Sequence, residues 1–350
     1  MLATGTKATT APTADSQDAE AGLLWKQIVG PLEPFLEAVS NRLGEQVRAF
    51  DPELSGLAEY TLQGPGKQLR PTLVGLVGQA LGRPGPDHIT VAVIIEMIHL
   101  ATLVHDDVMD EAALRRGRLT VAARWGNETA VLFGDCLFAQ ALVLAAGFPT
   151  PEICRAVARA TETVCTGEIL QTRHRRNFPL SQEYYFRVLE MKTGELFGLA
   201  CDLGAWCSGA APEVRGTLRQ FGLAFGTAYQ LYDDCLDLMG QESAVGKSLG
   251  TDLAKGKLTL PVLLAWERSD PRERSRLERW IQHWEPGHLP QLRQMLERHG
   301  ALVEALRMIH VHLERARQHL QGLPAPARPG PLHAAADYLA RQADRLNGAH

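Results

Sequence analysis

The sequence predicts an all-α protein, and three observations carry that expectation. From residue 23 onward apolar residues recur at three- and four-residue spacings, as in LLWKQIVGPLEPFLEAVSNRL and TLRQFGLAFGTAYQLYDDCLDLM. Sustained period-two alternation is missing, and the Asn-Gly hairpin signal occurs only at Asn347-Gly348. Aromatic residues make up 6% of the chain, which disfavours aromatic-rich β architectures.

The first 22 residues are polar, rich in Thr and Ala, and lack the positive-then-apolar pattern of a signal peptide; they are expected to form a disordered tail. Asp87 is placed to cap a helix that starts near Ile89. Thr150-Pro151-Glu152 offers a cap, a first-turn proline and an acid for the next. Ser181 is positioned to cap a helix over Tyr184–Leu199, and Gly240 to close the one ending DDCLDLM. Two segments read as connectors, the Gly- and Lys-rich Gln241–Lys257 and the proline-rich Gly322–Pro331. Neither separates regions of different composition and no fixed-period repeat occurs, so residues 23–350 are expected to form one domain, although a length of 350 allows about two.

Composition excludes several classes. With 45% apolar and 22% charged residues the chain is no disordered protein. The charge sum, 36 − 40 = −4, lacks the basic surplus of a nucleic-acid binder. The most apolar run, Ile89–Val104, is broken by Glu96 and His99 and falls short of the roughly 18 residues a membrane span requires, so no integral membrane segment is expected. Cys136, Cys154, Cys165, Cys201, Cys207 and Cys235 show no C-x-x-C spacing and read as thiols in a reducing, cytoplasmic setting.

The sharpest feature is an acidic cluster that occurs twice. Asp106, Asp107 and Asp110 stand in LVHDDVMD; Asp233, Asp234 and Asp237 stand in QLYDDCLD. On a helix, Asp106 and Asp110 share a face, as do Asp233 and Asp237. Acids so placed among Leu, Val and Met repel one another and call for compensation. A divalent cation supplies it: hard carboxylate oxygens suit Mg²⁺, which one or two carboxylates hold together with phosphates and waters. A solvated acidic face explains a single such run better than two identical ones with apolar flanks. Two clusters facing across a cavity would form a multi-magnesium clamp for a diphosphate. The bases such a clamp needs lie nearby: Lys67 and Arg70, Arg115 and Arg116, Lys192, and Lys247, Lys255 and Lys257 after the second cluster. His99, seven residues before Asp106, and Gln230, three before Asp233, lie on roughly the faces of their clusters. Each serves a core role as readily as a binding one.

Together GKQLRP, EMIHLATLVHDDVMDEAALRRG, KTGELF, YQLYDDCLD and GKSLGTDLAKGKLTLP resemble the trans-isoprenyl diphosphate synthases (polyprenyl synthetases), from about Leu62 to Pro261. The resemblance implies a single domain of antiparallel helices around a central cavity, the type I isoprenoid synthase fold, usually as a homodimer. It implies head-to-tail condensation of isopentenyl diphosphate with an allylic diphosphate. Lys67, Arg70, His99 and Arg116 match residues that hold isopentenyl diphosphate. Arg115, Lys192, Lys247 and Lys257 match those on the allylic diphosphate. Asp106, Asp110 and Asp233 match the principal Mg²⁺ ligands, with Asp107, Asp234 and Asp237 supporting. Thr193 and Gln230, with Lys192, match catalytic groups near the developing carbocation. Gln68 departs from the family, where arginine is common.

The resemblance also frames product length. A bulky aromatic five residues before the first aspartate gives short products in the family, and here that position is the small Ala101. With Ile98 and Thr102, Ala101 is expected to border an open tunnel, unless Leu137 or Phe138 closes it. A heptaprenyl-to-nonaprenyl product is expected, with geranylgeranyl or farnesyl diphosphate as the shorter alternative. A terpene cyclase or a head-to-head synthase would lack GKQLRP. A non-catalytic subunit or helical interaction protein would be expected to lose one cluster, and both are intact.

Overall fold

A computed structural model describes residues 14–63, 66–240 and 249–348. Helix α1 runs Ala14–Val29 and therefore occupies part of the stretch expected to be disordered. Its Trp25 ring lies 4.8 Å from Tyr338 near the other end of the chain. Helix α2 (Glu33–Arg48) buries Phe35, Val39, Leu43 and Val47 at four-residue spacing, one stripe against the core. Then follow α3 (Ser55–Leu62), α4 (Leu69–Leu81) and the 24-residue α5 (Pro86–Met109), which carries the first aspartate cluster on its last turn. Asp87 is not its cap: Gly85 stands at that position, Pro86 at the first helical one, and the Gly85 N–H donates to His88 Nδ1 at 3.1 Å.

After α5 the chain makes the one β structure among the described residues, a hairpin of β1 (Leu114–Arg115) and β2 (Arg118–Leu119). Its turn residues, Arg116 (φ 53°) and Gly117 (φ 74°), are both left-handed, as a two-residue primed turn requires. An Arg-Gly pair is a weaker hairpin signal than Asn-Gly, and the helical expectation missed it.

The chain continues through α6 (Val121–Trp125), α7 (Asn127–Ala146) and α8 (Glu152–Arg173). Thr150 does not cap α8; Pro151 stands at the cap position, without a side-chain bond. Ser181 caps α9 (Gln182–Leu189), its Oγ accepting from the Tyr184 N–H at 3.1 Å. The helix expected over Tyr184–Leu199 is interrupted by a π turn, Glu190–Gly194, and resumes as α10 (Glu195–Cys207). Helix α11 (Pro212–Met239) carries the second cluster and ends as Gly240 N–H donates to Leu236 O at 2.8 Å. It presses against α10 so closely that a Cβ on Gly222 would lie 2.4 Å from Phe197 O. Short α12 (Thr251–Ala254), α13 (Leu260–Arg268), α14 (Pro271–Gln282), α15 (Leu289–Arg298), α16 (Ala301–Gln321) and α17 (Gly330–Gly348) complete the all-α fold.

Helices α5 and α7 are long and apolar enough to cross a membrane by length and composition. Most of α5 is buried inside the protein. Helix α7 leaves Val131, Leu132, Leu142 and Val143 exposed.

Candidate active site

Helices α5 and α11 turn their acids toward one cavity of about 2020 Å³. Asp106, Asp107 and Asp110 line it from α5; Asp233 and Asp234 line it from α11. The three α5 carboxylates stand in different surroundings. Burial pushes the Asp106 carboxyl up, against the pull of Lys192 Nζ at 3.7 Å. Asp107 accepts from Arg115 Nε on both oxygens at 3.0 Å, which ties the hairpin back to α5. Asp110 takes Arg175 Nη2 at 2.6 Å, Lys255 Nζ at 3.0 Å and Lys257 Nζ at 2.8 Å. Burial opposes its ionisation, but the two lysines hold it well below the usual carboxylate range.

The second cluster divides. Asp233 lines the cavity. Asp234 is buried and accepts from Tyr185 Oη at 2.6 Å and Gln230 Nε2 at 2.9 Å; burial, then the charge of Asp252, raises its carboxyl. Asp237 is fully buried and does not line the cavity, unlike the other five aspartates. It accepts from Thr251 Oγ1 at 2.7 Å and the Asp252 N–H at 3.1 Å, while its carbonyl takes the Gly250 N–H at 2.9 Å. One turn from the end of α11, it anchors the segment that folds over that end.

Cationic and polar groups complete the lining. Lys67, Arg70, Arg115, Arg116, Lys192, Lys255 and Lys257 all face the cavity, as expected from their motifs. Lys247 lies outside the described residues. Arg70 stacks 4.6 Å over the Phe197 ring; burial lowers its pKa and Glu96 opposes that shift. A Cβ on Gly66 would lie 2.6 Å from Arg116 Nη2, so the guanidinium packs directly against the glycine and would have to shift aside for a larger residue. Gln68, in place of the family's arginine, adopts φ 45° and donates to Ser40 Oγ at 3.1 Å. His99 is held neutral, because burial and then Arg70, Arg115 and Arg116 push its pKa well below the ordinary value.

The π turn presents Lys192 and Thr193. Lys192 pairs with Glu168 and donates to Gln171 Oε1 at 3.0 Å; burial disfavours its charge, but Asp106 and Glu168 outweigh that. Thr193 Oγ1 donates to Gln230 Oε1 at 3.0 Å. Such a bulge inside a helix recurs at functional sites because it re-aims side chains.

Of the residues expected to set product length, Ala101, Thr102 and Ile98 do not line the large cavity. Ala101 is fully buried, and Thr102 donates to His99 O at 2.7 Å. Ile98 instead lines a second, apolar pocket of about 190 Å³ with Phe138, Leu142, Val157, Ala158 and Thr161. Leu137 is fully buried. Sequence reasoning passed over Glu96, Tyr185 and Asp252 in the cavity wall and Arg175 behind it. Arg175 had a signal, the basic run Arg173–Arg176 at the end of α8; Tyr185 had none beyond an apolar helical face.

Among the described residues no three His, Cys, Asp or Glu side chains converge into a ready metal cage. The carboxylates instead stand on two helices across open space, all of them hard oxygen donors. That set fits Mg²⁺, which needs only one or two carboxylates with phosphate and water, and does not fit a closed zinc site.

Comparison with known proteins agrees with the motifs. The sequence pattern of the polyprenyl synthetase family matches residues 51–298. The chain is 34% identical over 300 residues to the all-trans-nonaprenyl-diphosphate synthase (geranyl-diphosphate specific) of Rhodobacter capsulatus, covering 85% of this chain and 92% of that protein. It is 40% identical over 234 residues to the nonaprenyl diphosphate synthase of Mycobacterium tuberculosis, covering 67% and 70%. The fold is similar to a polyprenyl synthase from Caulobacter crescentus, solved with calcium and isoprenyl diphosphate, at a TM-score of 0.84 and 33% identity over 91% of this chain and 97% of that one. By sequence, fold and the acids around its cavity, the chain belongs to the polyprenyl synthetase family of trans-prenyltransferases.

Proposed function

We propose that the chain condenses isopentenyl diphosphate head-to-tail with an allylic diphosphate to make an all-trans polyprenyl diphosphate. The observation that carries this reading is the facing of two aspartate clusters across a cavity lined by Lys67, Arg70, Arg115, Arg116, Lys192 and Lys257. Asp106, Asp110 and Asp233 are the principal candidates to hold Mg²⁺, about three ions per site. Asp107 and Asp234 orient their neighbours, and Asp237 holds the segment behind them. Bound Mg²⁺ supplies charge stabilisation on the departing diphosphate.

The remaining steps fall to the side chains. Arg115, Lys192 and Lys257, with Lys247, are suited to the allylic diphosphate, and they strengthen as charge builds on its leaving oxygen. Lys67, Arg70 and Arg116 are suited to isopentenyl diphosphate, with neutral His99 donating a hydrogen bond. Held there, its double bond lies close to the cation as it forms. Thr193 and Gln230 turn oxygen lone pairs toward that cation.

Nonaprenyl synthases among the relatives support a heptaprenyl-to-nonaprenyl product. The exposed Val131, Leu132, Leu142 and Val143 of α7 support a homodimer, which a sedimentation mass twice that of the 38.4 kDa chain would verify. A single catalytic domain over 23–350 and a cytoplasmic location complete the proposal. Incubation with isopentenyl diphosphate, farnesyl diphosphate and Mg²⁺ is expected to yield longer prenyl diphosphates, and EDTA to abolish them. Folded protein that elongates nothing under these conditions would sink the reading.

A further inference from the structure

Tyr185 is buried on α9 and points its hydroxyl at Asp234 Oδ2, 2.6 Å away. Asp234 Oδ1 accepts from Gln230 Nε2 at 2.9 Å, and Gln230 Oε1 accepts from Thr193 Oγ1 at 3.0 Å. The four side chains form one directed chain: the Gln230 amide turns its NH₂ toward Asp234 and its oxygen, which can only accept, toward Thr193. A threonine hydroxyl has a single proton, and Thr193 spends it on Gln230. Thr193 therefore presents only lone pairs to the cavity it borders.

The Tyr185 phenol is the donor of the bond to Asp234 Oδ2. Without that donor, Asp234 Oδ2 would be a buried oxygen with an unmet acceptor, free to turn away from Gln230. The amide could then flip, and Thr193 could aim its O–H, the positive end of a dipole, into the cavity.

We propose that Tyr185 is a positioning residue that fixes the direction of the Asp234–Gln230–Thr193 hydrogen bonds, so that oxygen lone pairs face the carbocation formed in the cavity. The proposal rests on the functional reading above. It deepens that reading by assigning a role to a side chain that lies outside both aspartate motifs in the sequence.

The test is a double-mutant cycle in the full-length enzyme, with Tyr185→Phe and Thr193→Val assayed singly and together. Tyr185→Phe is expected to lower kcat about tenfold to a hundredfold, the range for a lost hydrogen bond to a charged group. KM for each diphosphate should stay within about twofold, because the interaction acts in the transition state. The double variant should be no slower than the slower single one, since both act through one chain. A merely structural tyrosine would give effects that multiply. An unchanged kcat in Tyr185→Phe, or multiplying effects, would overturn the proposal.

Should Tyr185→Phe lose its fold in thermal melting, Asp234→Asn provides the test from the other end of the bond. An asparagine has one acceptor oxygen and cannot take both protons. Its kcat is expected to fall as far, at an unchanged half-saturating Mg²⁺ concentration; a wild-type kcat there would overturn the proposal. Wild-type enzyme that makes no product would overturn the functional reading and this proposal together. Wild-type elongation with an unaffected Tyr185→Phe variant would overturn this proposal alone.

Discussion

Asp110 is held by three cations at 2.6–3.0 Å, while Asp106, one turn earlier, has one lysine at 3.7 Å and a carboxyl that burial pushes upward. The two carboxylates share a helix face but stand in unequal energetic states. Removing Asp106 relieves a buried, poorly compensated charge, so Asp106→Ala is expected to abolish elongation, by about a hundredfold or more. The same variant should leave the melting temperature unchanged or slightly raised. Thermal denaturation beside the elongation assay checks both halves, and severe unfolding would count against a purely catalytic role. His312 makes a different prediction. Burial, then Arg315, lowers its pKa to about 4, and its ring lies 5.3 Å from that of Phe186. The unfolded chain binds the proton near pH 6.5 and the folded chain does not, so stability falls as pH drops from about 6.5 to about 4. The loss is at most about 3 kcal/mol. His312→Leu should flatten the fall in melting temperature between pH 7 and pH 5; an unchanged slope would assign the acid sensitivity to other groups.

At the scale of the element, the π turn Glu190–Gly194 decides where Lys192 and Thr193 point. Helix α8 closes on it so tightly that a Cβ on Gly167 would lie 2.9 Å from Lys192 N, and α11 backs it through Thr227. Helix α5 is two-faced in the same way: Glu96, His99, Leu103, Asp106 and Asp110 border the large cavity, while Ile98 borders the apolar pocket beside Phe138. A chain growing from Asp106 would pass the buried Ala101 to reach that pocket. Ala101→Phe is therefore expected to shorten the product in chromatography of the elongation mixture; an unchanged distribution would place the tunnel elsewhere. The helices themselves were legible because their apolar periodicity and the Ser181 cap are local signals. The π turn and the Arg116-Gly117 hairpin were not, since both depend on how neighbouring helices approach. The acids and bases of the cavity could be read from motif spacing. Asp237 could not be told from its neighbours, because its partners Thr251 and Asp252 arrive from a separate segment.

For the whole molecule, a net charge of −4 hides a separation of charge within one cavity. Aspartates from α5 and α11 face it, and bases arrive from α4, the hairpin, the π turn and the segment after α11. The bases paired with Asp107 and Asp110 show how the acids are balanced within the protein. Both clusters together are expected to bind an allylic diphosphate through Mg²⁺. Calorimetric titration with a thiolo analogue of farnesyl diphosphate, which ionises slowly, tests it directly. Binding is expected with Mg²⁺ and not with EDTA, and is expected to be lost in both Asp106→Ala and Asp233→Ala. Equal binding without Mg²⁺, or full binding after loss of either aspartate, would contradict the account.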